Sequence, residues 1–284
     1  DDFFNACFDE ADRLRVRQAL DLDTLSSLVL ETCHKLKPVR NALIDWALLE
    51  GKFVREQDFS ETIDNVLEKL RELKARPTEL SSWQDEWSMA HGIFAYETFL
   101  YLVAAFLKLK LYSVLHDVFN AHYLCPVSER NSPTHFETFR CLWVPASDFL
   151  QTCLKPRPGH RFVNTVAEIM HRQADRSDIS FLDLIGAESL IMLMFFVTPA
   201  MDYEHWSPHT FVYRSYNSIT DLFLRAERHK YFKNLATITG IESADKLRTT
   251  VKPKVEEYLT HWRGSSTRSI GNLWHMWNMD NLDS

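Results

Sequence analysis

Apolar residues recur at helical spacing along most of the chain. In SETIDNVLEKLRELKA (60–75), Ile63, Val66, Leu67, Leu70 and Leu73 fall on one stripe. Glu61, Asp64, Glu68, Lys69 and Glu72 occupy the other face. Such a period marks a helix with one buried side. Upstream, Leu25, Leu28, Val29, Thr32 and Leu36 keep the same spacing after Asp23. Aspartate suits a helix N-cap and proline suits a stop, so this helix is predicted to run from Asp23 and end before Pro38. A separate helix is predicted from Val39 through Leu43, Trp46 and Ala47 to Gly51, a C-terminal breaker. Further helices are predicted over 84–109, 112–121, 162–174, 180–197, 215–236, 244–261 (with a break or restart at Pro253) and 270–279. HWSPHTFVYRS (205–215) has room for a short strand, but no sheet is predicted.

Two runs are apolar on every side: FLYLVAAFLKL (99–109) and LIMLMFFV (190–197). Both are shorter than the roughly 20 residues that span a bilayer. They predict central core helices and no membrane span. Five of the ten prolines, Pro126, Pro133, Pro145, Pro156 and Pro158, lie in one stretch. Proline removes a backbone donor and restricts the residue before it, so 125–161 is predicted to be loop and short turns, with a brief helix near 146–153. Seven glycines in 284 residues leave few positive-φ turns and no glycine-rich phosphate loop. The predicted class is all-α, an irregular multi-helix array. It is read as an N-terminal lobe (1–124), a proline-rich connecting region (125–161) and a C-terminal lobe (162–284), or as one continuous domain. No fixed repeat period is present, which argues against a regular solenoid.

With 45% hydrophobic and 13% aromatic residues, the chain can bury a large core, and disorder over most of its length is excluded. Cys7, Cys33, Cys125, Cys141 and Cys153 are odd in number and widely spaced, which predicts reduced thiols and a cytoplasmic setting. The chain opens on acidic, helical sequence without methionine, so a fragment of a longer protein is expected.

Charge is uneven. Residues 1–100 carry 12 Lys or Arg and 20 Asp or Glu, whereas 225–268 carry 10 basic and 5 acidic residues. The basic cluster of Lys246, Arg248, Lys252 and Lys254, with Lys230, Lys233 and Arg263 nearby, is a candidate nucleic-acid surface. The overall charge of −7 argues against a dedicated binder. His116, His122, Cys125, His135 and Cys141 lie near one another in sequence, and His205 and His209 have H-x-x-x-H spacing. Paired ligand spacing is missing and Pro208 interrupts the second set, so no metal centre and no cofactor are expected. Glu97 and Glu188 sit in apolar helices and need partners, for which Arg140 and Arg161 are examples. Leu273, Trp274, Met276, Trp277 and Met279 form an apolar patch that either docks on the core or meets a partner.

One short motif points to chemistry. Arg130, Asn131 and His135 stand in the order R-N-x-x-x-H, which resembles the signature of HEPN ribonucleases. The resemblance implies a metal-independent endoribonuclease in which the histidine moves a proton and the arginine stabilises phosphate charge. Pro133 departs from the helical setting of that motif, since proline in a helix interior costs about 3 kcal/mol. A loop without a shared helical scaffold is the expectation. The run ETFLYLVAAFLKLKLYSVLHDVFNAHYLC (97–125) resembles helical regions of multidomain bacterial proteins of anti-phage defence and signalling. It implies a sensing or assembly segment. The expected function is therefore a non-catalytic helical interaction, sensor or oligomerisation region, with a protein partner or a second copy as ligand. The HEPN-like nuclease and a nucleic-acid-binding domain are the alternatives.

Overall fold

A computed structural model describes residues 2–17, 21–77, 84–125, 135–154, 164–199, 206–214, 218–261 and 273–284. The chain is all-α. Its helices are α1 (Asp2–Arg13), α2 (Leu22–Glu50), α3 (Glu56–Lys74), α4 (Met89–Leu109), α5 (Tyr112–Asn120), α6 (Thr165–Gln173), α7 (Phe181–Val197), α8 (Asp221–Arg225), α9 (His229–Thr239), α10 (Ala244–His261) and α11 (Leu273–Met276). Short 3-10 turns lie at Asp85–Ser88, Phe139–Leu142, Asp148–Thr152, Thr210–Tyr213 and Met279–Asn281.

The most apolar sequence lies at the centre. Every residue of α4 from Met89 to Phe106 is buried. It packs against α2, α3 and α7, while α10 covers another side of α7 and α5 bridges α3 and α9. Burying a large aliphatic or aromatic side chain contributes roughly 1.5–3 kcal/mol, so α4 and α7 dominate the stability. The continuous stretch Asp85–Leu109 is long and apolar enough to cross a membrane, and 83% of its most apolar window is buried inside the protein. Residues 1–124 and 162–284 meet along α4–α7 and α5–α9 and contribute to one hydrophobic core.

Several local expectations change. Pro38 does not end a helix: α2 runs unbroken from Leu22 to Glu50. Its buried positions lie on both sides of the proline, from Leu25, Val29 and Cys33 to Val39, Leu43 and Ala47. That burial outweighs the roughly 3 kcal/mol that interior proline costs. The cap is Asp21, whose carboxylate accepts from the Thr24 amide at 2.8 Å, instead of Asp23. Gly51 closes the helix in the right-handed region, at φ −58°. Pro253 likewise lies inside α10. The segment predicted as one helix over 215–236 divides into α8 and the start of α9. The segment 205–215, which had room for a short strand, carries the 3-10 turn Thr210–Tyr213. Instead, Tyr123–Cys125 (β1) and His135–Glu137 (β2) pair antiparallel, with Leu124 opposite Phe136.

Long-range polar contacts lock the helices. Arg140 donates to the Phe195 carbonyl at 2.7 Å and to Thr198 Oγ1 at 3.0 Å, and Lys254 donates to the Phe196 carbonyl at 2.6 Å. Two cations thus cap the C-terminus of α7, where free carbonyls and the helix dipole favour positive charge. Gly92 of α4 lets Val144 approach closely. A Cβ at that position would meet Val144 Cγ2 at 2.9 Å.

Candidate functional site

The last turn of α4 places a lysine in an unusual backbone state. The Lys110 amide donates to the Leu107 carbonyl at 3.2 Å and the Leu111 amide to the Phe106 carbonyl at 2.9 Å. This pair of bonds is the Schellman arrangement, whose C′ position is left-handed and usually glycine. Here it is Lys110, at φ 61°. The other non-glycine residues with positive φ among those described are Asn278 and Asp283. Asn and Asp tolerate that region far better than lysine does.

The turn at Lys110 borders a crevice of about 770 Å³ between α4–α5 and α7–α9. Ala104 and Leu107 of α4, Ile185 and Gly186 of α7, Ile219 and Leu222 give it an apolar lining. Lys108, Lys110, Asp183, Asp221 and Arg225 bring charge, and Tyr112, Tyr231, Thr220 and Asn234 bring aromatic and polar groups. An apolar concavity of this size with a few convergent polar groups is the form taken by small-ligand sites.

The charged groups are not equally available. Asp183 accepts from the Ser180 amide at 2.7 Å and from Ser180 Oγ at 2.8 Å, closing a capping box at the start of α7. It also pairs with Lys108, whose ammonium donates to the Asp178 carbonyl as well. These bonds clamp the end of α4 to the start of α7. Arg225 pairs with Asp221 at 2.7 Å, one turn apart, with both side chains more than half exposed. Burial holds the Tyr112 phenol above its usual range, and the Arg225 guanidinium acts against that rise. Lys110 has no ion pair among the described residues. The Thr220 hydroxyl is buried without a hydrogen-bond partner among the described residues.

Gly186 is the second anomaly. It sits inside α7, where glycine costs about 1 kcal/mol relative to alanine. No protein atom requires the missing side chain: a Cβ there would meet only Thr220 Cγ2 and Cβ, at 3.9 and 4.0 Å. The space that glycine leaves open belongs to the crevice.

The buried carboxylates have structural partners. Glu97 pairs with Arg40 of α2 at 2.5 Å, and Arg40 is fully buried. Burial nevertheless pushes the Glu97 carboxyl up to about 7. Glu188 has no cation partner among the described residues. Oε1 accepts from the Tyr96 hydroxyl at 2.6 Å and the His209 amide at 2.7 Å. Oε2 accepts from the Thr210 amide at 2.6 Å and the Thr210 hydroxyl at 2.5 Å. Burial raises its pKa despite these four donors. Arg140, an expected partner type, is used at the end of α7, and Arg161 lies outside the described residues.

His209 extends this network. Its Nε2 lies 2.8 Å from the Val144 carbonyl and its Nδ1 lies 3.0 Å from the Asn164 amide nitrogen. The carbonyl must accept and the amide must donate, which assigns the neutral tautomer protonated at Nε2. Burial lowers its pKa to about 4. His91, bonded to the Ala11 carbonyl, is also lowered by burial to about 4.

The residues singled out by sequence have separate roles where they are described. Arg130 and Asn131 lie outside the described residues. The His135 backbone belongs to β2, opposite Cys125, and not to a helix. Of the basic set on α10, Lys246 and Lys252 are exposed. Arg248 donates to the Met279 and Leu282 carbonyls at 2.6 and 2.7 Å, and Lys254 caps α7. Met276, Trp277 and Met279 are fully buried in the core of the chain itself. Trp277 donates to the Ser189 carbonyl at 3.0 Å. Trp274 is half-buried and donates to Asp280 at 2.8 Å. The apolar C-terminal patch is therefore docked on α7 and offers little outward surface. Among the described residues, no three metal-ligating side chains converge. Cys7 and Cys33 are free thiols.

Sequence reading missed the crevice because four stretches distant in sequence build it, 104–112, 182–186, 218–225 and 231–234. Gly186, in LIGAESLIM, was the one visible signal: a glycine inside an otherwise strongly apolar helix. No protein-family model, curated protein or solved structure matches the chain.

Proposed function

We propose that this domain is a non-catalytic helical sensor that binds a small ligand in the crevice between its two halves. The observation that carries this reading is the crevice itself. It is about 770 Å³, apolar in lining, and walled by α4–α5 from one half and α7–α9 from the other. A ligand held there touches both halves. Binding to the folded state then stabilises the arrangement by RT ln(1 + [L]/Kd), roughly 2.7 kcal/mol at a hundredfold excess over Kd. That linkage converts ligand concentration into the stability of the α4–α7 and α5–α9 contacts. The buried titratable groups Glu97, Glu188, His91 and His209 are held in helix-locking bonds, which fits a scaffold role.

The reading is tested by soaking crystals in 2-propanol, acetone and acetonitrile. Binding sites collect overlapping solvent molecules from all three. The expected result is a cluster against Leu107, Ile185 and Leu222. Solvent clusters elsewhere, with the crevice holding none, would refute the reading.

A further inference from the structure

We infer that the crevice takes an amphipathic monoanion, a ligand with an apolar acyl or aryl body and one acidic head group that pairs with Lys110. This deepens the sensor reading and rests on it.

The sign of the charge follows from what each lining group already does. Asp183 is occupied by Ser180 and Lys108, so it has little left for a cationic ligand. Lys108 is held by Asp183 and the Asp178 carbonyl. Arg225 and Asp221 neutralise each other in an exposed pair, a kind worth little and easily exchanged. Lys110 remains as the uncompensated charge among the described lining residues. The single excess charge is positive, so the complementary ligand carries one negative charge. Ala104, Leu107, Ile185 and Leu222 supply apolar surface for the rest of the ligand.

Two backbone anomalies support the assignment independently of charge. Lysine occupies a left-handed position that glycine would occupy at lower cost. Glycine occupies a helix interior that alanine would occupy at lower cost. The first exchange supplies a cation and the second supplies room, and both are on the same crevice. Rule violations that cluster at one place, without a packing reason, mark functional sites. The Thr220 hydroxyl, buried and without a hydrogen-bond partner among the described residues, is a second polar group with unmet bonding capacity in the same crevice.

The test is calorimetric titration of the whole chain with two matched pairs. One is 2-naphthoate and 2-naphthalenemethanol, the other decanoate and decan-1-ol. In at least one pair the acid should bind about tenfold tighter than its alcohol, equivalent to ~1.4 kcal/mol. The pair with the larger preference identifies an aryl or an acyl body. Lys110→Gly should bring that ratio close to one while leaving the alcohol's Kd unchanged. The glycine suits the left-handed turn, so a loss of binding there is not a loss of folding. Gly186→Leu should weaken both members of the pair. Equal affinity of acid and alcohol for the wild type would overturn the anionic class while leaving the crevice as the site. An acid preference that survives Lys110→Gly would place the head group elsewhere and overturn the inference. No binding by any of the four would overturn both the inference and the sensor reading.

Discussion

Glu188→Gln separates a structural carboxylate from an acid–base group. The side chains are nearly isosteric, so packing is conserved and only hydrogen bonding changes. Each oxygen of Glu188 accepts one backbone amide and one hydroxyl: His209 N and Tyr96 Oη at Oε1, Thr210 N and Thr210 Oγ1 at Oε2. A glutamine must set its NH2 at one of these ends. The hydroxyl there can turn and accept, but the backbone N–H cannot. Either orientation therefore strands one buried amide, which costs about 1–3 kcal/mol. Loss of charge assistance in the remaining bonds adds about 1 kcal/mol, since bonds to ionised groups are stronger. The expected destabilisation is about 2–4 kcal/mol, read from urea unfolding followed by far-ultraviolet circular dichroism. Ligand affinity in the crevice should be unchanged, because Glu188 does not line it. A loss of stability below about 0.5 kcal/mol would show that these four bonds do not hold the 206–211 segment, and would refute the reasoning.

Other consequences follow from single contacts. Gly92→Ala should destabilise the chain by about 1–3 kcal/mol in the same unfolding assay, because its Cβ would sit 2.9 Å from Val144 Cγ2 in a filled core; a neutral or stabilising outcome would contradict the close approach. His209 and His91 are held neutral to about pH 4. An imidazole with a depressed folded pKa contributes stability that is fully present above its unfolded value near 6.5 and lost as the pH falls towards 4. The slope of unfolding free energy between pH 6.5 and 4 should therefore be shallower in His209→Gln than in wild type, and an identical slope would argue against a neutral buried imidazole. Nuclear magnetic resonance titration of His209 should likewise show no change near pH 6.5.

Much of the helix framework is legible from residue spacing. Ile63, Val66, Leu67, Leu70 and Leu73, predicted to share a stripe, are all buried in α3. The two uniformly apolar runs became the central helices α4 and α7. What could not be read depends on partners distant in sequence. Arg40 meets Glu97 across 57 residues, and three of the four donors to Glu188 come from His209 and Thr210, in a segment for which no helix is predicted. Pro38 misled because local propensity is weaker than burial on both sides of it. The basic cluster on α10 looked like one surface, yet two of its four members turn inward to carbonyls. The crevice was the least legible feature. Lys110 in KLKLY gives no sequence sign of its positive φ, because that conformation comes from how α4 ends against Leu111.

The central claim is that the crevice sacrifices stability to hold an acidic ligand, and Lys110→Gly addresses both halves of it at once. A left-handed lysine costs roughly 1–2 kcal/mol, offset in part by about 0.5–1 kcal/mol of extra chain entropy in glycine. Urea unfolding and titration with the preferred acid, run on the same preparations of wild type and variant, should show the variant more stable by about 0.5–1 kcal/mol and weaker in acid binding by about tenfold. A variant that loses stability, or that gains it and binds the acid as tightly as wild type, would contradict the account.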